Sequence, residues 1–126
     1  MLTCYSAIMY LLWLHTSNGT VSPKDVKEMV GLTPTKRLMR IQNGRGSIAG
    51  SEGERFVELI GEVLGDYARF LQLTHKKKEE LLLEYDSNVD AWKADSYSFG
   101  RKFAEALAIL GQSKHPFNGL YRIILI

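Results

Sequence analysis

Residues 21–42 read VSPKDVKEMVGLTPTKRLMRIQ, and this stretch predicts two short helices joined by a tight turn. Ser22 is a favoured N-cap residue, and Pro23 fits the first helical position, where no backbone N–H is needed. Gly31 follows an apolar face at helical spacing, so we expect it to end the first helix in the left-handed conformation, with Leu32 after it. The chain should therefore turn sharply here and start a second helix at once.

The second helix repeats this opening and carries a cluster of positive charge. Thr33 and Pro34 form its start, and Leu38 and Ile41 form its inward face. Residues three and four apart are neighbours on a helix, so we expect three cations together on its outward face. They are Lys36, Arg37 and Arg40. A basic second helix after a tight turn is typical of helix pairs that read nucleic acid.

Length and composition are those of one ordinary globular domain. The chain has 126 residues, a formal net charge of +2 and one cysteine, Cys4. One thiol cannot form an internal disulfide, so we expect a reducing, cytoplasmic setting. Residues 2–14 are very apolar, but the run is shorter than the roughly 20 residues of a membrane span, and no basic residue precedes it. We therefore expect a buried first helix and no membrane association.

The rest of the chain predicts a mainly α protein in a single domain, residues 1–126. A helix-turn-helix-like head covers residues 1–42, and residues 43–53 (NGRGSIAGSEG) are a glycine-rich linker or an irregular wing. Residues 54–126 form a helical part for dimerisation or for an effector. It is predicted to contain two long packed helices and a short strand at residues 120–126 (LYRIILI).

The first long helix carries apolar residues at alternating spacings of four and three, which is the seam for another helix. They are Phe56, Ile60, Val63, Tyr67 and Phe70. We expect this helix to break near Thr74, and a further turn at residues 86–88 to precede the last helix.

The strongest functional signal is the basic second helix. Its cations are suited to phosphate contacts, and its hydroxyl and amide groups to hydrogen bonds with backbone or base edges. The candidate nucleic-acid-binding residues are Thr33, Thr35, Lys36, Arg37, Arg40, Gln42 and Arg45. The alternative interpretation is a solvated helix face that contacts no nucleic acid.

Residues 5–41 resemble the front of winged-helix and helix-turn-helix regulators, through the apolar first helix, Ser22-Pro23 and the turn at residues 31–34. This resemblance implies a small transcriptional regulator that binds double-stranded DNA as a homodimer. A different possibility is a protein-interaction or inhibitor module from a mobile element, which presents the same basic face to an acidic protein.

A third hypothesis comes from Arg69 and His75, whose spacing resembles the Arg-x(4–6)-His signature of the all-α HEPN ribonucleases. The resemblance implies acid–base and charge-stabilising roles at a scissile phosphate. If the chain is instead a DNA-binding regulator, we expect it to have no catalytic residues. Cys4 and the three histidines lack metal-ligand spacing, so we expect no metal and no cofactor.

Overall fold

The computed structural model describes residues 2–44 and 48–112. They form five helices: α1 (Leu2–Asn18), α2 (Pro23–Gly31), α3 (Pro34–Asn43), α4 (Ser51–Thr74) and α5 (Lys78–Gln112). No strand occurs among these residues, so the prediction of a mainly α chain is confirmed for them. The strand predicted at residues 120–126 lies outside the described part.

Helices α1, α2 and α3 form a three-helix head, in which α1 packs against both α2 and α3 and also touches α5. Met9 of α1 and Leu38 of α3 are completely buried. The residues of α1 that are buried are Ser6, Met9 and Tyr10. Tyr5, Ile8, Leu12 and His15, which share one face of α1 at helical spacing, are only half-buried. The head thus buries a serine that no apolar pattern would place there.

Helices α4 and α5 run antiparallel and share a core at one end of their length. On α4 the buried seam consists of Phe56, Leu59, Ile60 and Val63, and on α5 it consists of Phe103, Ala106, Leu107 and Leu110. Lys102 Nζ lies 2.6 Å from Asp66 Oδ2 and joins the two helices just beyond the last buried layer. From residue 64 to residue 102 no residue is buried, so the distal hairpin is thin.

The predicted break near Thr74 is confirmed, because α4 ends there. The turn predicted at residues 86–88 is instead a kink inside α5, where Asn88 has φ −133° and ψ 23°. Two side chains accompany it: Ser87 Oγ donates to the Leu83 carbonyl at 2.9 Å, and Asn88 Nδ2 donates to the Glu84 carbonyl at 3.3 Å. Such side-chain bonds compete with the helix ladder and bend it without ending the helix.

The connection from α3 to α4 is shorter than the sequence predicted. Helix α4 begins at Ser51, three residues earlier than expected, after Gly50 with φ 76°. Gly53 therefore lies inside the first turn of α4, where a Cβ would collide with the carbonyl oxygen of Ile48. This close approach leaves no room for a Cβ, so glycine is the residue that fits at position 53 despite its low helix propensity. Residues 45–47 lie outside the described part.

Candidate functional site on helices α2 and α3

Helix α2 begins with a reciprocal pair of hydrogen bonds between Ser22 and Asp25. The Ser22 hydroxyl oxygen accepts from the Asp25 N–H at 3.3 Å, and the Asp25 carboxylate accepts from the Ser22 N–H at 2.8 Å. The hydrogen bond from the Ser22 side chain lowers the pKa of Asp25, and the backbone hydrogen bond adds to this effect. The predicted cap is confirmed, and it forms a complete capping box.

The end of α2 differs from the prediction. Gly31 is not left-handed, since the described residues with positive φ are Gly19 and Gly50. Leu32 is extended instead, at φ −97° and ψ 139°, and its N–H donates to the Met29 carbonyl at 3.2 Å. The Leu32 side chain packs on the core, so the chain leaves the helix without a left-handed glycine. Thr33 then caps α3, because its hydroxyl oxygen accepts from the Lys36 N–H at 3.4 Å.

Arg37 is not on the outward face of α3, as the sequence predicted, but is buried with 6 % of its surface exposed. Its Nε donates to the Met29 carbonyl of α2 at 2.9 Å. Its Nη1 donates to the Thr3 carbonyl at 3.1 Å and to the Ser6 hydroxyl oxygen at 3.4 Å, both on α1. The guanidinium therefore lies at the negative end of α2 and is satisfied by oxygen atoms of two other helices.

Arg40 is exposed but engaged within the head. Its Nη1 forms an ion pair with the Glu28 carboxylate of α2 and donates to the Tyr10 hydroxyl at 3.4 Å. The hydrogen bond to Glu28 is the main cause of a raised pKa for Arg40, and the Tyr10 contact contributes less. Arg40 therefore has an internal carboxylate that a phosphate would have to displace.

The remaining predicted contact residues are distributed over the surface and the interior. Lys36 and Thr33 are exposed, and Thr35 is half-buried. The amide nitrogen of Gln42 lies over Gly61 of α4, 2.9 Å from where a Cβ would be, so Gln42 contributes to helix packing. Arg45 lies outside the described residues. Of the predicted basic trio, Lys36 is the member whose ammonium group has no hydrogen bond or ion pair within the described part of the chain, whereas Arg37 is held by carbonyl and hydroxyl oxygens and Arg40 by Glu28.

Two further cations lie on the neighbouring helix α2, and the basic pattern of α3 did not indicate them. Lys24 and Lys27 of α2 are exposed, and Lys24 lies one turn before Glu28. Lys36 likewise lies one turn before Arg40 on α3. The Glu28–Arg40 ion pair joins α2 to α3 at this point of the surface. We call this region the α2–α3 surface; it consists of Lys24, Lys27, Glu28, Lys36 and Arg40. It carries four cations and one carboxylate, and the Asp25 carboxylate lies beside Lys24, so its local charge is still positive.

Arg69 and His75 are not brought together by α4. Residues six apart on a helix lie about 120° apart around its axis and about 9 Å apart along it. The Arg69 guanidinium forms an ion pair with Asp66, and His75 follows the end of α4 as its C-cap residue. Both are exposed. The geometry within one chain therefore gives no shared site for the two residues.

Over residues 2–44 and 48–112, no group of three or more His, Cys, Asp or Glu side chains is arranged to hold a metal ion. Cys4 is a free, exposed thiol. None of the described helices combines the length and the apolar character that a membrane crossing requires.

Comparisons of the chain with protein-family models, with curated proteins and with solved structures gave no match.

Proposed function

We propose that the chain is a small nucleic-acid-binding protein of the helix-turn-helix type, which contacts double-stranded DNA through the α2–α3 surface. The observation that supports this proposal is that four cations are exposed on the neighbouring helices α2 and α3, with the Glu28 carboxylate between them. Phosphate oxygens are the chemical partners of such a surface. Arg37 has no part in it, since its guanidinium is used inside the head.

The charge of this surface indicates contacts with phosphates more than with base edges. Lysine is a flexible point charge, whereas base-specific contacts in the major groove are usually made by side chains with two aligned donors or acceptors. We expect weak binding with little sequence preference and a strong dependence on salt. If three phosphates are neutralised, log K should fall with log salt at a slope of about −3.

The test is fluorescence anisotropy with a labelled duplex at several salt concentrations. In the double variant Lys24→Gln and Lys36→Gln, the slope should be less steep by about two. The matched control is Lys77→Gln with Lys78→Gln, which removes the same charge at the other end of α4, a helix about 36 Å long. Equal losses in both double variants, or no binding by the natural chain at low salt, would reject the proposal.

A protein-interaction role is the second candidate, and a different surface favours it. Large apolar side chains of the distal hairpin are exposed, among them Phe70 at 56 % and Tyr97 at 75 %. An apolar surface of this kind often marks a contact with another protein. The HEPN-like ribonuclease hypothesis has less support, because the described contacts do not bring Arg69 and His75 together. The test of that hypothesis is an RNA-degradation assay with the natural chain and His75→Ala.

A further inference from the structure

One apolar stripe follows the whole of α5 at alternating spacings of three and four. Its members are Leu82, Tyr85, Val89, Trp92, Ser96, Phe99, Phe103, Ala106 and Leu110. This is the seven-residue repeat by which one helix packs along another. The last three members are buried in the core of the molecule. Toward the N-terminus the same repeat continues through Phe99, which is half-buried, and then through five positions in residues 82–96, in the thin part of the hairpin.

The exposed half of this stripe, residues 82–96, is only partly covered by the described part of the chain, since Val89 and Trp92 are half-buried and Ser96 is exposed. Leu82 is 52 % exposed and Tyr85 is 45 % exposed. The kink at Asn88 does not divide the stripe, because the rings of Tyr85 and Trp92 meet edge to face with centroids 5.7 Å apart. An open groove of about 300 Å³ lies along it and is lined by residues of α5: Tyr85, Val89, Trp92, Lys93, Ser96 and Tyr97.

We propose that a second copy of this chain covers the exposed half of the α5 stripe, with the two α5 helices antiparallel and the two-fold axis between Asp90 and Ala91. In this register Val89 lies against Trp92 of the other copy, and Tyr85 lies against its Ser96. Both of these layers pair a larger side chain with a smaller one, which favours close packing of the two helices.

The charges that flank the stripe agree with the same register. Asp86 and Lys93 occupy corresponding positions beside the seam, and an antiparallel two-fold pairing brings Asp86 of each copy to Lys93 of the other. The symmetry produces this ion pair twice. A shift of the pairing by one heptad would instead bring the two Asp86 side chains together at the axis, where like charges repel. The sequence of the stripe thus favours one register over its neighbour.

This inference does not depend on nucleic-acid binding, and its experiment is done without nucleic acid. Sedimentation equilibrium of the full chain should show a concentration-dependent change from 14.3 kDa to twice that mass. Asp86→Lys and Lys93→Asp should each weaken the dimer roughly tenfold, because each creates two like-charge contacts. The double variant carrying both changes should dimerise like the natural chain. Glu80→Lys, on the opposite side of α5, is the matched control and should change little.

Each contrary result has a definite meaning. A chain that stays monomeric at every concentration overturns the proposal, and protection of residues 82–96 from hydrogen exchange in that monomer would assign the cover to residues 113–126. A dimer that is unaffected by both single variants places the interface elsewhere. A double variant that remains as weak as the single variants overturns the antiparallel register.

Discussion

The Nε atom of Arg37 lies 2.9 Å from the carbonyl oxygen of Met29, which also accepts the N–H of Leu32. One carbonyl oxygen therefore both ends α2 and anchors α3. The other side of the same guanidinium reaches Thr3 and Ser6 of α1. Arg37 thus joins the three helices of the head by buried hydrogen bonds, as Arg40 does at the surface, and its positive charge is not available to a partner.

Substitution of Arg37 should destabilise the fold. We expect Arg37→Met to lower the free energy of unfolding by about 2–4 kcal/mol, because it removes three hydrogen bonds from a charged, buried donor to α1 and α2. Urea denaturation followed by circular dichroism measures this change. Lys36→Met is the control on the exposed side of the same helix and should change stability by less than about 0.5 kcal/mol. Equal effects of the two substitutions would contradict the structural role of Arg37.

The sequence predicted the helices of the head and the N-caps of α2 and α3, but neither the end of α2 nor the position of Arg37. Hydrophobic periodicity marks an inward face by its apolar residues, and a buried arginine beside Leu38 carries no such mark. The acceptors of Arg37 are two backbone carbonyls and the Ser6 hydroxyl. Because backbone oxygens occur at every residue, no pattern of side chains in the sequence could indicate this partner set.

The same limit applies to the other end of the molecule. The seam on α4 was predicted from its spacing, and Phe56, Ile60 and Val63 are indeed buried, whereas Phe70 is 56 % exposed. A heptad pattern indicates that some helix covers the seam, but not how far the chain's own helices extend over it. How much of the seam is covered depends on where the chain turns back into α5 and where the head ends. Both are set by the tertiary packing.

Release of Arg40 should strengthen duplex binding. Glu28→Gln removes the carboxylate that holds Arg40, so we expect an increase in affinity of about two- to fivefold at low salt, with a steeper dependence on salt. Anisotropy with a labelled duplex measures both quantities. Glu84→Gln makes the same change in net charge at the hairpin, where Glu84 pairs with Lys76, and should have the smaller effect. Unchanged or weaker binding by Glu28→Gln would show that Arg40 does not take part.

Asp66 should make stability depend on pH in acid. Burial raises the pKa of Asp66, but hydrogen bonds from Lys102 and Arg69 outweigh it, so the net pKa lies below the ordinary value of 3.8. A lowered pKa in the folded state gives a stabilising contribution that is complete above the unfolded pKa and is lost as pH falls through the folded pKa. Asp66→Asn should therefore be less stable at pH 7 and lose less stability below about pH 4.

Denaturation series between pH 2 and pH 7 test the Asp66 prediction, with Asp90→Asn as the control. The Asp90 side chain is 96 % exposed and lies 3.9 Å from Lys93, so its removal should leave the pH profile nearly unchanged. Profiles that fall equally steeply for the natural chain and for Asp66→Asn would contradict the assignment.

The two halves of α5 should respond differently to truncation of leucine. Leu107 is completely buried, so Leu107→Ala should lower the free energy of unfolding by about 2–5 kcal/mol at any protein concentration. Leu82 is 52 % exposed in the single chain, so Leu82→Ala should cost little in dilute solution.

At concentrations where the proposed dimer forms, Leu82→Ala should cost more, because association stabilises the folded state only while the stripe is intact. Leu83 is 72 % exposed and lies outside the stripe, so Leu83→Ala is the matched control and should be nearly neutral at both concentrations. Thermal melts at two protein concentrations separate these cases. If the loss of stability caused by Leu82→Ala is the same at both protein concentrations, no second copy covers the stripe.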